Sequence, residues 1–245
     1  MVQILCDQWT DADPVEAAAQ LLTTTGVALM PSSDVTRSLG VGQEAWTRFA
    51  RYWWHLPPDR CAAGLGVQRL RRYGRYLVLD GFPYRLPTRT FAQPKDSNPR
   101  YINGDRDFEP LTDAFAEDPL LRDVIQLLTR IAASLDDVAE WNVKVHPFRT
   151  RSSDGGHPTP ESLHRDGVTL VSTLLIGRRN AIGGESTVCD STGRRLLTTT
   201  LAEPGTLLLG DDRRILHAVS PIRPVSSSGP AQRDVLVITF ASRWP

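Results

Sequence analysis

The sequence predicts an α+β fold in which a jelly-roll core, a double-stranded β-helix, is braced by a helical N-terminal portion. Three observations carry this expectation. After about residue 138 the chain becomes a series of short runs rich in apolar and β-branched residues: "EWNVKVHPF", "VTLVSTLLI", "STVCD", "RRLLTT", "GTLLLG", "RILHAVSPI" and "RDVLVITFAS". Turn-forming stretches separate the runs ("GRRNAIGG", "STG", "EPG", "DDRR", "SSSGP"), and no helical period lies between them. Closely spaced strands of this kind build an antiparallel sandwich or barrel, not a parallel βαβ sheet. Before residue 138, by contrast, the apolar residues recur at helical spacing. Residues 1–137 are therefore read as mostly helical or mixed support with a lid, and 138–245 as the jelly-roll core. No clear linker divides them, so one domain over 1–245 is expected.

In chain order, Asp13 is placed to cap a helix with Pro14 at its first position, and Gly26 to end it. "VALM" (27–30) is a short strand. "GQEAWTRFARYWWHL" (42–56) spaces Trp46, Phe49 and Trp53 along one helix face, and the prolines at 57–58 stop it. These tryptophans read as core. "VQRLRRYGRYLVLD" (67–80) alternates as a strand does, with Arg69, Arg71, Tyr73 and Arg75 on one face. Residues 81–110 are rich in Pro, Gly, Asn and Asp and form a long connection suited to a lid. "DPLLRDVIQLLTRIAASL" (118–135) is an amphipathic helix capped by Asp118. In "WNVKVHPF", Trp141, Val143 and Val145 share one face, and Asn142, Lys144, His146 and Phe148 the other. If the apolar face packs on helices, the polar face lines the barrel. Gly183 and Gly184 read as a hairpin turn that also lets backbone pass close to a cavity.

Composition excludes several classes. The 245 residues carry 28 basic and 28 acidic side chains, and that balance argues against a nucleic-acid binder. No apolar run is long enough to span a membrane. The first residues, "MVQILCDQWTDADPVEAAAQ", have acids where a signal peptide has a basic flank. Cys6, Cys61 and Cys189 are odd in number and widely spaced, which fits neither a disulfide framework nor a thiolate zinc site. A cytoplasmic protein with a small-molecule partner is expected. The sequence carries no signal of oligomeric state.

The chemistry centres on "PESLHRDG" (160–167). His164 and Asp166 open an apolar run, and on a strand their side chains point the same way. Charged groups at the edge of a core need compensation. His217 sits in a second apolar run, "RILHAVSPI". Two histidines and one carboxylate are the ligand set of non-haem Fe(II) oxygenases, which leaves three cis positions open. Arg233 begins the strand "RDVLVITF", with Val235, Val237 and Thr239 on its face. A guanidinium there calls for an anion, either a neighbouring acid or a bound carboxylate.

On these residues the sequence resembles the iron- and 2-oxoglutarate-dependent dioxygenases that act on free L-amino acids. The resemblance runs over roughly 141–241, through "VHPFR" (145–149), "PESLHRDG", "RRNAIGGES" (178–186), "LLLGDDRRILHAVSPI" (207–222) and "RDVLVITF" (233–240). It implies His164, Asp166 and His217 as ligands of Fe(II), and Arg233 as the clamp on the far carboxylate of 2-oxoglutarate. It further implies dioxygen as cosubstrate, with succinate and carbon dioxide as products. Many related enzymes place a serine or threonine two residues after the arginine. Val235 stands there, so a hydroxyl contact must come from elsewhere, Thr239 being one source. Aspartate at position 166, where related halogenases have a small residue, favours hydroxylation of an unactivated C–H bond; ring closure and desaturation stay open.

For the substrate, Arg71 and Tyr73 are candidates because an amino acid brings a carboxylate, and His146 because it faces the barrel. The rival reading makes the arginine row a solvated edge strand and His146 structural. His55 and His157 read as surface residues. Alternatives at the level of function are the same chemistry on a peptide or carrier-bound residue, and a metal cupin that binds without oxidising.

Overall fold

The computed structural model describes residues 13–59, 68–87, 108–153 and 163–242. Cys6, Cys61, His157 and most of the expected lid lie outside the described residues. The first helix, α1 (Pro14–Thr25), begins where the Asp13 carboxylate accepts from the Val15 N–H and ends at Gly26. Strand β1 (Val27–Met30) follows, then α2 (Ser32–Leu39), a short helix that the sequence reading did not anticipate. The helix expected over 42–56 is α3 (Gln43–Ala50), which tightens into a 3-10 turn over Arg51–His55. Phe49 and Trp53 are fully buried, whereas Trp54 and His55 are exposed. After α4 (Asp113–Ala116), Asp118 caps α5 (Pro119–Ala133) by accepting from the Leu120 N–H at 2.9 Å.

The remaining strands are β2 (Gln68–Arg71), β3 (Gly74–Leu79), β4 (Phe82–Leu86), β5 (Glu140–Ser152), β6 (Leu170–Arg179), β7 (Ala181–Gly183), β8 (Glu185–Asp190), β9 (Arg195–Thr200), β10 (Leu207–Asp211), β11 (Ile215–Val219), β12 (Ile222–Pro224) and β13 (Ala231–Ala241). An eight-stranded sheet runs β1-β10-β6-β13-β5-β3-β4, with β2 also on β5. A three-stranded sheet, β11-β8-β9, and a β12-β7 pair complete the roll. The pairings are antiparallel. Four strands of the large sheet come from before residue 138, so the change in sequence character there does not mark where the sheet begins.

One face of the large sheet packs on the helices. Tyr76, Val78, Trp141, Val143, Val145, Leu236, Ile238 and Phe240 meet Val124, Leu128 and Ile131 of α5 in the main core. The opposite face looks into the roll, where Val27 and Val171 meet Val188 and Ile215 of the small sheet. Strands β2 and β3 hold one register along β5, so Arg69, Arg71, Tyr73 and Arg75 do share the inner face. Inward side chains form rungs across the strands. One is Arg69–Thr150–Arg233–Arg178, and another is Arg75–Lys144–Thr239–Val171.

Gly183 and Gly184 are not a hairpin turn. The strand before them pairs with β12 and the strand after them with β9 and β11, so the pair is a jog between sheets. Both have positive φ, 75° and 66°. A Cβ on Gly183 would lie 2.1 Å from the Pro221 carbonyl oxygen, and one on Gly184 would lie 3.2 Å from Cδ of Arg233. Only residues without a side chain allow this close approach.

Candidate metal centre

His217 lies on β11, opposite Val188 of β8. His164 is not on the strand it was expected to open. It forms an isolated bridge to His217, with N–H to O distances of 3.1 and 3.0 Å in the two directions. Asp166 follows in a turn before β6, so the strand-alternation argument for the pair does not hold. The main-chain bridge and the turn bring the side chains together instead. Nε2 of His164 is 3.9 Å from one Asp166 oxygen, and Nε2 of His217 is 3.7 Å from the other. The rings are 4.4 Å apart between centroids, and one donor atom from each of the three residues falls within a 4.8 Å cluster. All three are half-buried.

A second carboxylate stands behind them. Asp212 is buried; its oxygens accept from the N–H groups of Asp166 at 3.1 Å, Gly167 at 2.7 Å and Val168 at 3.1 Å. Three successive N–H groups converge because Gly167 adopts φ 75°. One Asp212 oxygen lies 3.8 Å from Nδ1 of His217. Burial, then the Asp166 carboxylate, pushes the Asp212 pKa up. Two imidazoles and two carboxylates suit a divalent cation that takes nitrogen and oxygen donors, and their formal charges balance it.

Arg233 is 4 % exposed, and among the described residues its Nε and Nη2 have no hydrogen-bond partner. Burial, with Arg178 nearby, lowers its pKa to about 10. Arg178 donates to the carbonyl oxygens of Gly183 at 2.8 Å, Ala181 at 3.1 Å and Leu201 at 3.4 Å. The inward end of the roll therefore carries a cation with unmet donors, the signature of a site shaped for an anion. Of the two threonines, Thr239 stands three rungs away beside Lys144, whereas the buried Thr150 is directly opposite Arg233. Thr150 is the hydroxyl in the better place.

The other three candidates form one cluster. Nη2 of Arg71 is 2.6 Å from Nδ1 of His146, and its guanidinium lies over the rings of Phe108 at 3.6 Å and Phe148 at 4.4 Å. His146 stacks on Tyr73 at 4.9 Å. The Asp59 carboxylate is 3.5 Å from Arg69 and 3.9 Å from Arg71. Arg69, Arg71 and Tyr73 are all buried, which rules out the solvated-edge reading for them. Lys144, one rung from His146, lies near Asp166; burial is the main reason its pKa falls to about 8.

Asp212, Arg178 and Thr150 carried no role in the sequence reading. For the first two a signal exists in the charged stretches "GDDRRILH" and "GRRN", which break apolar runs. Thr150 is legible only from strand register.

Comparison with known proteins gives a consistent picture. The sequence pattern of the 2OG-Fe dioxygenase family matches residues 50–239. The chain is 29% identical to an L-isoleucine-4-hydroxylase of Bacillus thuringiensis over 187 residues, 72% of this chain and 76% of that one. It is 30% identical to a 3(1)-hydroxy-L-isoleucine 4-dioxygenase of Pantoea ananatis (strain AJ13355) over 159 residues, 61% and 63% of the two chains. Among solved structures, a bsmA homolog from Methylobium petroleophilum PM1 superimposes with a TM-score of 0.84 at 29% identity, over 94% of this chain and 95% of that one.

Proposed function

The chain belongs to the 2OG-Fe dioxygenase family, and from that premise we propose that it acts as one domain to hydroxylate an unactivated C–H bond of a free L-amino acid or close derivative. The family uses Fe(II), 2-oxoglutarate and dioxygen, and releases succinate and carbon dioxide. His164, Asp166 and His217 hold the iron. The observation that carries this is the convergence of their donor atoms within 4.8 Å from two segments about fifty residues apart in the chain. Bound there, the iron supplies the oxidising power for the C–H bond; the rest is the work of the protein.

Each residue then has a task. Arg233 offers its two unmet donors to the far carboxylate of 2-oxoglutarate in a planar, charge-assisted pair. Thr150 adds a hydroxyl on the same rung. Val235, one rung from Arg233, packs with Leu175 and Leu201 in a buried apolar cluster that keeps water from that end of the roll. Arg71 receives the substrate carboxylate. His146 and Asp59 orient its guanidinium, and the two phenylalanine rings hold it flat. Tyr73 keeps His146 in place by stacking on its ring. Asp166 occupies the carboxylate position, which favours hydroxylation over halogenation.

The names of the relatives, isoleucine and a hydroxyisoleucine, support a free aliphatic amino acid as substrate. The test is a panel of free L-amino acids and short peptides incubated with Fe(II), ascorbate and 2-oxoglutarate, read by mass spectrometry. A free amino acid that gains one oxygen atom is the expected result. Modification of peptides alone contradicts the substrate class.

A further inference from the structure

We propose that Asp212 is a positioning residue that forms the metal site before any metal arrives, and that it supplies the second negative charge behind the ligand set. The inference rests on the reading that His164, Asp166 and His217 hold the metal. Its own basis is the buried Asp212 carboxylate, whose side chain is fully enclosed. Among the described residues no lysine or arginine pairs with it. By contrast, its neighbour Asp211 is held by Arg213 at 2.9 Å. A buried carboxylate without a cation is costly and needs compensation from another source.

Two groups of partners provide it, and each includes a member of the ligand set. The N–H groups of residues 166–168 bind its two oxygens, which fixes the turn that presents the Asp166 side chain. The Nδ1 edge of His217 faces it at 3.8 Å, which leaves Nε2 turned toward Asp166. The Asp212 N–H also donates to the Thr169 carbonyl, so the residue is pinned to the segment it organises. One side chain on the β10–β11 connection therefore orients ligands that come from two different segments. Outer partners of this kind set ring orientation and raise ligand basicity.

The test uses the full-length chain and Mn(II) alone. Wild type, Asp212→Asn and His164→Ala are titrated with Mn(II), and backbone amide exchange is followed in metal-free wild type. Asp212→Asn keeps one accepting oxygen and loses the charge; its Mn(II) affinity is expected to fall by about 10–100-fold. A residue that served folding alone would lower the melting temperature and leave the affinity of the folded protein intact. The amides of 166–168 are expected to be protected already without metal. If Asp212→Asn binds Mn(II) within about twofold of wild type while His164→Ala does not bind, the inference is overturned and the metal site stands. Equal binding by wild type and His164→Ala overturns the metal site, and this inference with it. Should Asp212→Asn fail to fold, the exchange measurement decides: fast exchange at 166–168 in the metal-free protein refutes the proposal.

Discussion

Arg233 is a cost that the ligand-free fold carries. A buried donor without a partner costs about 1–3 kcal/mol, more when charged. Replacing Arg233 with methionine is therefore expected to stabilise the ligand-free protein by about 1–3 kcal/mol in urea unfolding, while the KM for 2-oxoglutarate rises steeply. Loss of stability together with an unchanged KM would show that the guanidinium serves the fold. Thr150→Val probes the same rung. Losing a hydrogen bond to a charged group is expected to raise the KM for 2-oxoglutarate by about tenfold; Thr239→Val, three rungs away, leaves it unchanged. At the other end, Arg71→Met is expected to raise the amino-acid KM by about tenfold or more without moving the 2-oxoglutarate KM. Steady-state kinetics with each substrate varied in turn separates the two sites. At the residue scale the sequence marks its candidates by contrast with their surroundings. His164, Asp166, His217 and Arg233 stood out because charged or coordinating groups interrupt apolar runs. Thr150 did not, because a threonine in a strand is unremarkable until its cross-strand neighbour is known.

At the scale of elements, local chemistry marked the helices well. Asp13 and Asp118, each followed by proline, cap the helices they were expected to cap. The alternation in β5 sorted its core face from its inner face, because one side packs on helices and the other looks into the roll. Three misreadings have physical reasons. Asp80 and Gly81, both with positive φ, form the tight turn of the β3–β4 hairpin; this short signal was absorbed into the long polar connection after it. His164 and Asp166 were placed on a strand because an apolar run follows them, but the turn at Gly167 and the Asp212 carboxylate take precedence over the pattern. Gly183 was assigned a turn when its role is close packing. A Cβ there meets the Pro221 carbonyl at 2.1 Å, so Gly183→Ala is expected to cost about 2–4 kcal/mol in chemical denaturation. A loss well under this would mean that the jog between the sheets relaxes freely.

At the scale of the whole molecule, the jelly roll was legible from the spacing of its strands, but its order was not. Which strands neighbour one another depends on contacts between distant segments, such as β1 lying on β10, and no local pattern encodes them. That order sets β8 and β11 across the roll from β1 and β6, where Val188 and Ile215 meet Val27 and Val171, and it closes the interior that holds the His164–Asp166–His217 cluster and Arg233. Metal and cosubstrate binding are thereby tied to the stability of the roll. At 100 times their dissociation constants, Mn(II) and 2-oxoglutarate are each expected to raise the melting temperature by about 5–10 °C, and Arg233→Met to lose only the second shift. The most direct measurement is succinate release from 2-oxoglutarate in the presence of Fe(II) and the responsive amino acid, comparing wild type with Asp166→Ala. Stoichiometric succinate and hydroxylated product in the wild type, with neither formed by a folded Asp166→Ala protein, is the predicted result. Equal succinate release by the two proteins would contradict the site.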